Sequence, residues 1–211
     1  MKSKKKTEAA EGTDSSMVTE TQWEKKLKIQ TARSGQHEMD GENSPYEPTP
    51  YSVLERLADS GYLSKDNVLV DYGCGKGRAS IFLAYLTGCR VIGIDYNEHV
   101  IDEAEANRHS SGVKDITFIH TKAEEYEVTD ADSFYFFNPF TDLILRSVLS
   151  RILDSYYKDP RKLQLFFYYP TDDTVALLMT TQELMFVDEI DCTDLFTGND
   201  PRERILIFEA G

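Results

Sequence analysis

Three glycines alternate with other residues in Asp71-Tyr72-Gly73-Cys74-Gly75-Lys76-Gly77, directly after an apolar run. Glycine is needed where a chain turns through positive φ, or where a ligand touches the backbone with no Cβ in the way. A helix opening after such a loop offers unpaired N–H groups. In that context the loop is a small-molecule site at the C-terminal edge of a sheet. The dinucleotide fingerprint G-x-G-x-x-G places its third glycine where this chain has Arg78, and here the third glycine arrives one residue early, at Gly77. Asp95 follows Gly75 by 20 residues. There a carboxylate accepts from both hydroxyls of a ribose and repels a 2′-phosphate; as structure alone it is an acidic residue favoured near a helix N-terminus. A third constellation is Asn138-Pro139-Phe140. A side-chain amide oxygen and a nearby carbonyl, fixed by proline, accept hydrogen bonds from an N–H₂ group and aim its lone pair, while an aromatic face packs on a planar substrate. Read structurally, the same residues are a strand-to-helix turn.

These residues need a sheet to bring them together, and the pattern supplies one. Strands are expected over 67–72, 90–96, 116–120, 133–137 and 163–169, each a short apolar run. Helices are expected over 76–87, over 98–109 with Asn97 as cap, from Thr141 to about Tyr157, and over 173–182. Thr49-Pro50 reads as an N-cap followed by proline at the first helical position, opening a helix that ends near Ser60-Gly61. Two last strands, 184–190 and 204–208, are joined by a helix-free loop with turn chemistry in Thr197-Gly198-Asn199-Asp200-Pro201. The expected fold is α/β: a doubly wound, mostly parallel seven-stranded sheet with a C-terminal antiparallel hairpin and helices on both faces. Residues 1–44 form a polar N-terminal arm, partly disordered, with a short helix over 19–30 in which Trp23 and Leu27 meet at i,i+4. The arm either packs weakly on the 45–211 domain or serves as a lid.

The pattern D-x-G-x-G-x-G between a buried strand and a helix resembles the first motif of class I (Rossmann-like) S-adenosylmethionine-dependent methyltransferases. That resemblance implies S-adenosyl-L-methionine as cofactor, with its methionine portion against Asp71, Tyr72, Gly73, Cys74, Gly75 and Gly77. Asp71 would organise the site around the cofactor amino group, Asp95 would hold the ribose with Tyr96 beside it, and the adenine would lie near Ala123. Lys122 departs from the acidic or amide residue usual near the adenine. Phe136-Phe137-Asn138-Pro139-Phe140 is similar to the (D/N)-P-P-(Y/F) motif of amino-methylating members, with one proline missing. It implies catalytic roles for Asn138, Pro139 and Phe140, with Asn138 also touching the cofactor. Tyr46-Glu47-Pro48-Thr49-Pro50 is similar to an aromatic-proline segment that passes over the cofactor in several members, placing Tyr46 there. The implied activity is methylation of an amine or amide nitrogen of an undetermined acceptor. Alternatives are an O-methyltransferase or another user of the same fold acting on a small molecule, or a non-catalytic module that binds the cofactor.

Charge narrows the partners. The net charge of −14 falls wholly on residues 45–211, because residues 1–44 carry eight Lys/Arg against eight Asp/Glu. A body that acidic repels a phosphate backbone, which disfavours duplex nucleic acid. Cys74, Cys89 and Cys192 have spacings of neither a disulfide framework nor a metal site, and a reducing cytoplasm is the expected setting. No apolar run approaches the length of a membrane span, and no metal site is expected.

Overall fold

The computed structural model describes residues 15–32, 47–138 and 140–210. Parallel strands β1 (Val68–Tyr72), β2 (Arg90–Asp95), β3 (Ile116–His120), β4 (Ser133–Phe136) and β5 (Leu163–Tyr168) build most of one sheet. The strands β6 (Met185–Asp191) and β7 (Arg204–Ala210) complete it in the order β3-β2-β1-β4-β5-β7-β6. β7 inserts between β5 and β6 and runs antiparallel to both. The doubly wound sheet with its antiparallel C-terminal hairpin is therefore as expected, but the hairpin loop is not helix-free: it holds a 3-10 turn, Thr193–Leu195.

The central strands β1, β4 and β5 are buried on both faces, which is why they read as near-continuous apolar runs. Side chains alternate all the same. Leu69, Val91, Tyr135 and Phe166 face one core, with α1 (Ser15–Leu27), α2 (Tyr51–Asp59), α3 (Arg78–Thr87) and α4 (Glu98–Ser111). Val70, Ile92, Phe134 and Phe167 face the other, with α5 (Asp142–Lys158) and α6 (Asp172–Thr180). On that second face Tyr72, Phe136 and Phe167, in register across β1, β4 and β5, stack with centroids 5.0 and 4.5 Å apart. The chain goes from β1 outward to β2 and β3, then returns to place β4 on the other side of β1. In folds of this topology the crevice for a ligand lies where the order reverses, outside the carboxyl ends of the strands.

Helix ends depart from the sequence reading in position or in capping chemistry. Thr49 is not the cap of α2: Pro50 holds that position, and the Thr49 hydroxyl lies 3.0 Å from the Tyr135 hydroxyl instead. Thr141 does precede α5 but makes no side-chain cap bond. The N-terminal helix ends at Leu27 because Lys28 turns to φ +57°, and Ile29 N–H then bonds back to the Glu24 carbonyl at 3.0 Å. Leu27 and Ile29 are buried, and Trp23 packs edge-on against Phe82 at 4.8 Å.

Gly93 of β2 has a steric task. A Cβ there would stand 2.6 Å from the Phe118 ring and 2.9 Å from Ser80 Oγ. Gly93→Ala is expected to destabilise the chain by about 2 kcal/mol through overpacking. Urea denaturation measures this, and a loss under about 0.5 kcal/mol would show that α3 and β3 yield freely there.

Candidate functional site

The loop after β1 is fixed by its neighbour β2. The Ile94 carbonyl accepts from Gly73 and Cys74 N–H, both at 2.9 Å. Asp95 then spans the gap: one carboxylate oxygen accepts from Gly75 N–H at 3.0 Å, the other from Asn97 N–H at 2.9 Å. Gly73, Gly75 and Gly77 sit at φ +75°, +51° and +82°. At Gly77 a Cβ would also come within 2.6 Å of the Phe118 ring, so both backbone and space demand glycine.

Asp71 lies beneath this loop. Its carboxylate is buried and accepts from Ser80 Oγ at 2.5 Å. Burial pushes its pKa up to about 6, against the pull of Ser80, with the nearby Asp95 adding to the rise. Burial likewise raises Asp95, offset by the N–H groups of Asn97, Gly75 and Tyr96. Two desolvated carboxylates under one loop favour a ligand that brings positive charge. Lys76 does not supply it to the loop, since its ammonium is buried against Glu103 at 2.7 Å.

The raised pKa carries a sign. The folded chain holds the Asp71 proton more tightly than the unfolded chain. The favourable contribution is thus full below about pH 4 and is lost as pH rises through about 6. Relative to Asp71→Asn, the ligand-free protein should lose stability over that interval. Parallel urea midpoints across the interval would show a carboxylate already ionised in the fold if the two proteins keep a constant difference.

The other residues singled out in the sequence divide into three groups. Tyr96 stands exposed at the rim beyond Asp95, and its carbonyl lies 2.9 Å from His120 Nε2. Ala123 opens a 3-10 turn after β3, at the same edge. The Tyr72 ring turns away from the loop into the stacked core, its hydroxyl without a hydrogen-bond partner among the described residues, so only its backbone lies along the loop. Cys74 is buried with its thiol pushed well up, an inert packing residue. Tyr46 and Pro139 lie outside the described residues.

Asn138 closes the far side of the crevice at φ +40°, and Tyr169 beside it is at φ +53°. Two such non-glycine residues at one corner mark stored backbone strain, held by what surrounds them. Asn138 Nδ2 donates to the Tyr169 carbonyl, whose own N–H pairs with the Arg204 carbonyl at 3.0 Å. The Tyr169 hydroxyl donates to Asp200 at 2.6 Å, and Arg202 lies 4.4 Å over its ring. Because a carbonyl only accepts, the amide nitrogen must face Tyr169, and the Asn138 oxygen remains as an acceptor. Phe140 is half-buried, with its ring perpendicular to those of Tyr72 and Phe136. Phe137, against Tyr168 at 4.8 Å, is the aromatic on the opposite side of β4.

A family model described as "Methyltransferase domain" matches residues 63–165, the span from before β1 into β5. Over that span, just under half of its length, the chain is similar to methyltransferase domains. Among curated proteins, it is similar to a protein-lysine N-methyltransferase of Saccharolobus islandicus, 37% identical over 70 residues, covering 33% of this chain and 44% of that one. A ribosomal protein L11 methyltransferase of Shewanella woodyi is 31% identical over 85 residues, 40% of this chain and 28% of the relative. The chain thus spans less than half the length of either methyltransferase. Among solved structures, a Streptococcus mutans protein in complex with SAH superposes at TM-score 0.57 with 12% identity, over 79% of this chain and 100% of that one, a likeness of fold. No long apolar membrane-crossing helix and no His/Cys/Asp/Glu metal cluster occur among the described residues.

Sequence reasoning missed Ser80, Arg78, Asn107 and Tyr169. Ser80 sits nine positions from Asp71, with no motif to link them. Tyr169 acts through its carbonyl, which leaves no mark on residue type.

Proposed function

We propose that this chain binds S-adenosylmethionine along Asp71–Gly77, Asp95, Tyr96 and Ala123, and methylates a nitrogen of an acceptor presented to Asn138. The cofactor part is supported by the donor set. Asp95 ends β2 with each oxygen accepting one backbone N–H and, among the described residues, no cation bonded to it, suited to ribose hydroxyls and unsuited to a phosphate. The desolvated Asp71 and Asp95 gain from a cofactor that carries a sulfonium and an ammonium group. When bound, S-adenosylmethionine supplies an electrophilic methyl carbon on positively charged sulfur.

The observation that carries the nitrogen reading is the anchored amide of Asn138. With Nδ2 committed to Tyr169, its oxygen is a fixed acceptor at the end of β4, next to β1 and its loop. An N–H of the acceptor donated to that oxygen orients the nitrogen lone pair away from Asn138. Orientation of this kind replaces a strong general base, with effective molarities of about 10⁵ M or more for well-placed groups. The nitrogen must be uncharged when it attacks, and the proton it sheds passes to solvent. The acidic body favours a basic protein or a cationic small molecule as acceptor over duplex nucleic acid.

Incubation of the full chain with methyl-labelled S-adenosylmethionine and size-fractionated cell extract tests this. Label in a base-stable N-methyl product is expected. Label in an ether or ester would overturn the nitrogen assignment while leaving the cofactor assignment standing.

A further inference from the structure

The segment from Glu20 to Thr31 is stitched to the glycine loop at two independent points. The first is Arg78, which directly follows Gly77 and is buried to 5% exposure. Its guanidinium donates to Glu20 and, at 3.3 Å, to Glu24, both on α1. Its Nε donates to the Thr31 hydroxyl at 2.6 Å, a terminal nitrogen reaches the Thr49 carbonyl at 3.3 Å, and the group lies 4.5 Å over the Tyr51 ring. The second is Asn107 of α4, 7% exposed. Its Nδ2 donates to the Lys76 carbonyl inside the loop at 3.0 Å and to the Gln30 carbonyl at 3.2 Å, while its Oδ1 accepts from Gln30 N–H at 2.9 Å.

A buried guanidinium is tolerated only with its counter-charges in place. Both of the carboxylates that pair with Arg78 come from α1. Withdrawal of α1 would leave that charge buried at the first residue of α3, so α3 and the loop ahead of it must shift to hydrate it. Asn107 would lose its partners at Gln30 in the same event. The network also reaches the acceptor side: the Thr49 carbonyl serves Arg78, and the Thr49 hydroxyl meets Tyr135 on β4, the strand that leads to Asn138.

We propose that Glu20–Thr31 is a working part of the cofactor site, with its docking thermodynamically coupled to cofactor binding and with Arg78 and Asn107 as the positioning residues. The inference rests on the S-adenosylmethionine reading above. Coupling between two sites is reciprocal, and such couplings are commonly about 5- to 150-fold. The test uses the full chain and S-adenosylhomocysteine as probe. Its binding should slow amide hydrogen exchange in α1 about tenfold, and Arg78→Gln and Asn107→Ala should each weaken its binding about tenfold. Lys25→Ala, on the exposed side of α1, should bind as wild type. If Arg78→Gln does not fold, judged by circular dichroism, Asn107→Ala and Glu24→Gln decide. Variants that bind like wild type, with α1 exchange indifferent to the probe, overturn the coupling alone. No binding to the wild-type chain overturns the cofactor reading and the coupling with it.

Discussion

Asp95→Ala is expected to weaken S-adenosylhomocysteine binding about 100-fold, the larger of the cofactor-site effects. The residue does two things at once. It accepts from Gly75 and Asn97 N–H, which sets the distance between the glycine loop and the start of α4. It is also the carboxylate proposed to meet the ribose. Leaving part-buried N–H groups unpaired costs about 1–3 kcal/mol, and a lost charge-assisted bond about 1.5–3. A combined loss near 3 kcal/mol is about two orders of magnitude in dissociation constant. Asp95→Asn keeps an acceptor oxygen and should lie between, about tenfold weaker. Calorimetry on both variants checks this; an alanine variant within about threefold of wild type would remove Asp95 from the site.

Asn138→Gly is expected to lower turnover about 100-fold while cofactor affinity stays within about threefold of wild type. Misplacement of a reacting group by about 1 Å costs on that order. Glycine is the cleaner replacement because Asn138 sits at φ +40°, where alanine adds its own strain. The Ala variant should show the same loss of turnover with a lower thermal midpoint. Single-turnover transfer from labelled cofactor separates the two quantities. Unchanged turnover in the glycine variant would leave Asn138 as a turn residue only.

Much of the fold was legible because β1, β2, β4 and β5 are largely buried on both faces and punctuated by glycine and asparagine. The runs at 116–120 and 133–136 stand out by apolarity alone, and Asn97 caps α4 through His99 N–H as its type suggests. The Thr49 cap failed because a tertiary partner, Tyr135, outcompeted the local backbone for the hydroxyl. The end of α1 was placed too late because Lys28 adopts a left-handed turn that lysine does not advertise. In the site, the glycine loop and Asp95 are local signals twenty residues apart. The Arg78 network joins residues 47 to 58 positions distant through carboxylates and a hydroxyl that look like surface chemistry in sequence. The contacts of Phe140 with Tyr72 and Phe136 join residues from β1 and β4 and leave no mark on the local sequence pattern.

The most direct test of the account is calorimetric titration of the full chain with S-adenosylmethionine and, separately, with NADH. The glycine spacing, the crowded Gly77 position and an Asp95 with no bonded cation among the described residues predict one S-adenosylmethionine bound per chain, with a dissociation constant on the order of micromolar, and no binding of the dinucleotide. Binding of NADH without S-adenosylmethionine, or of neither, would contradict it.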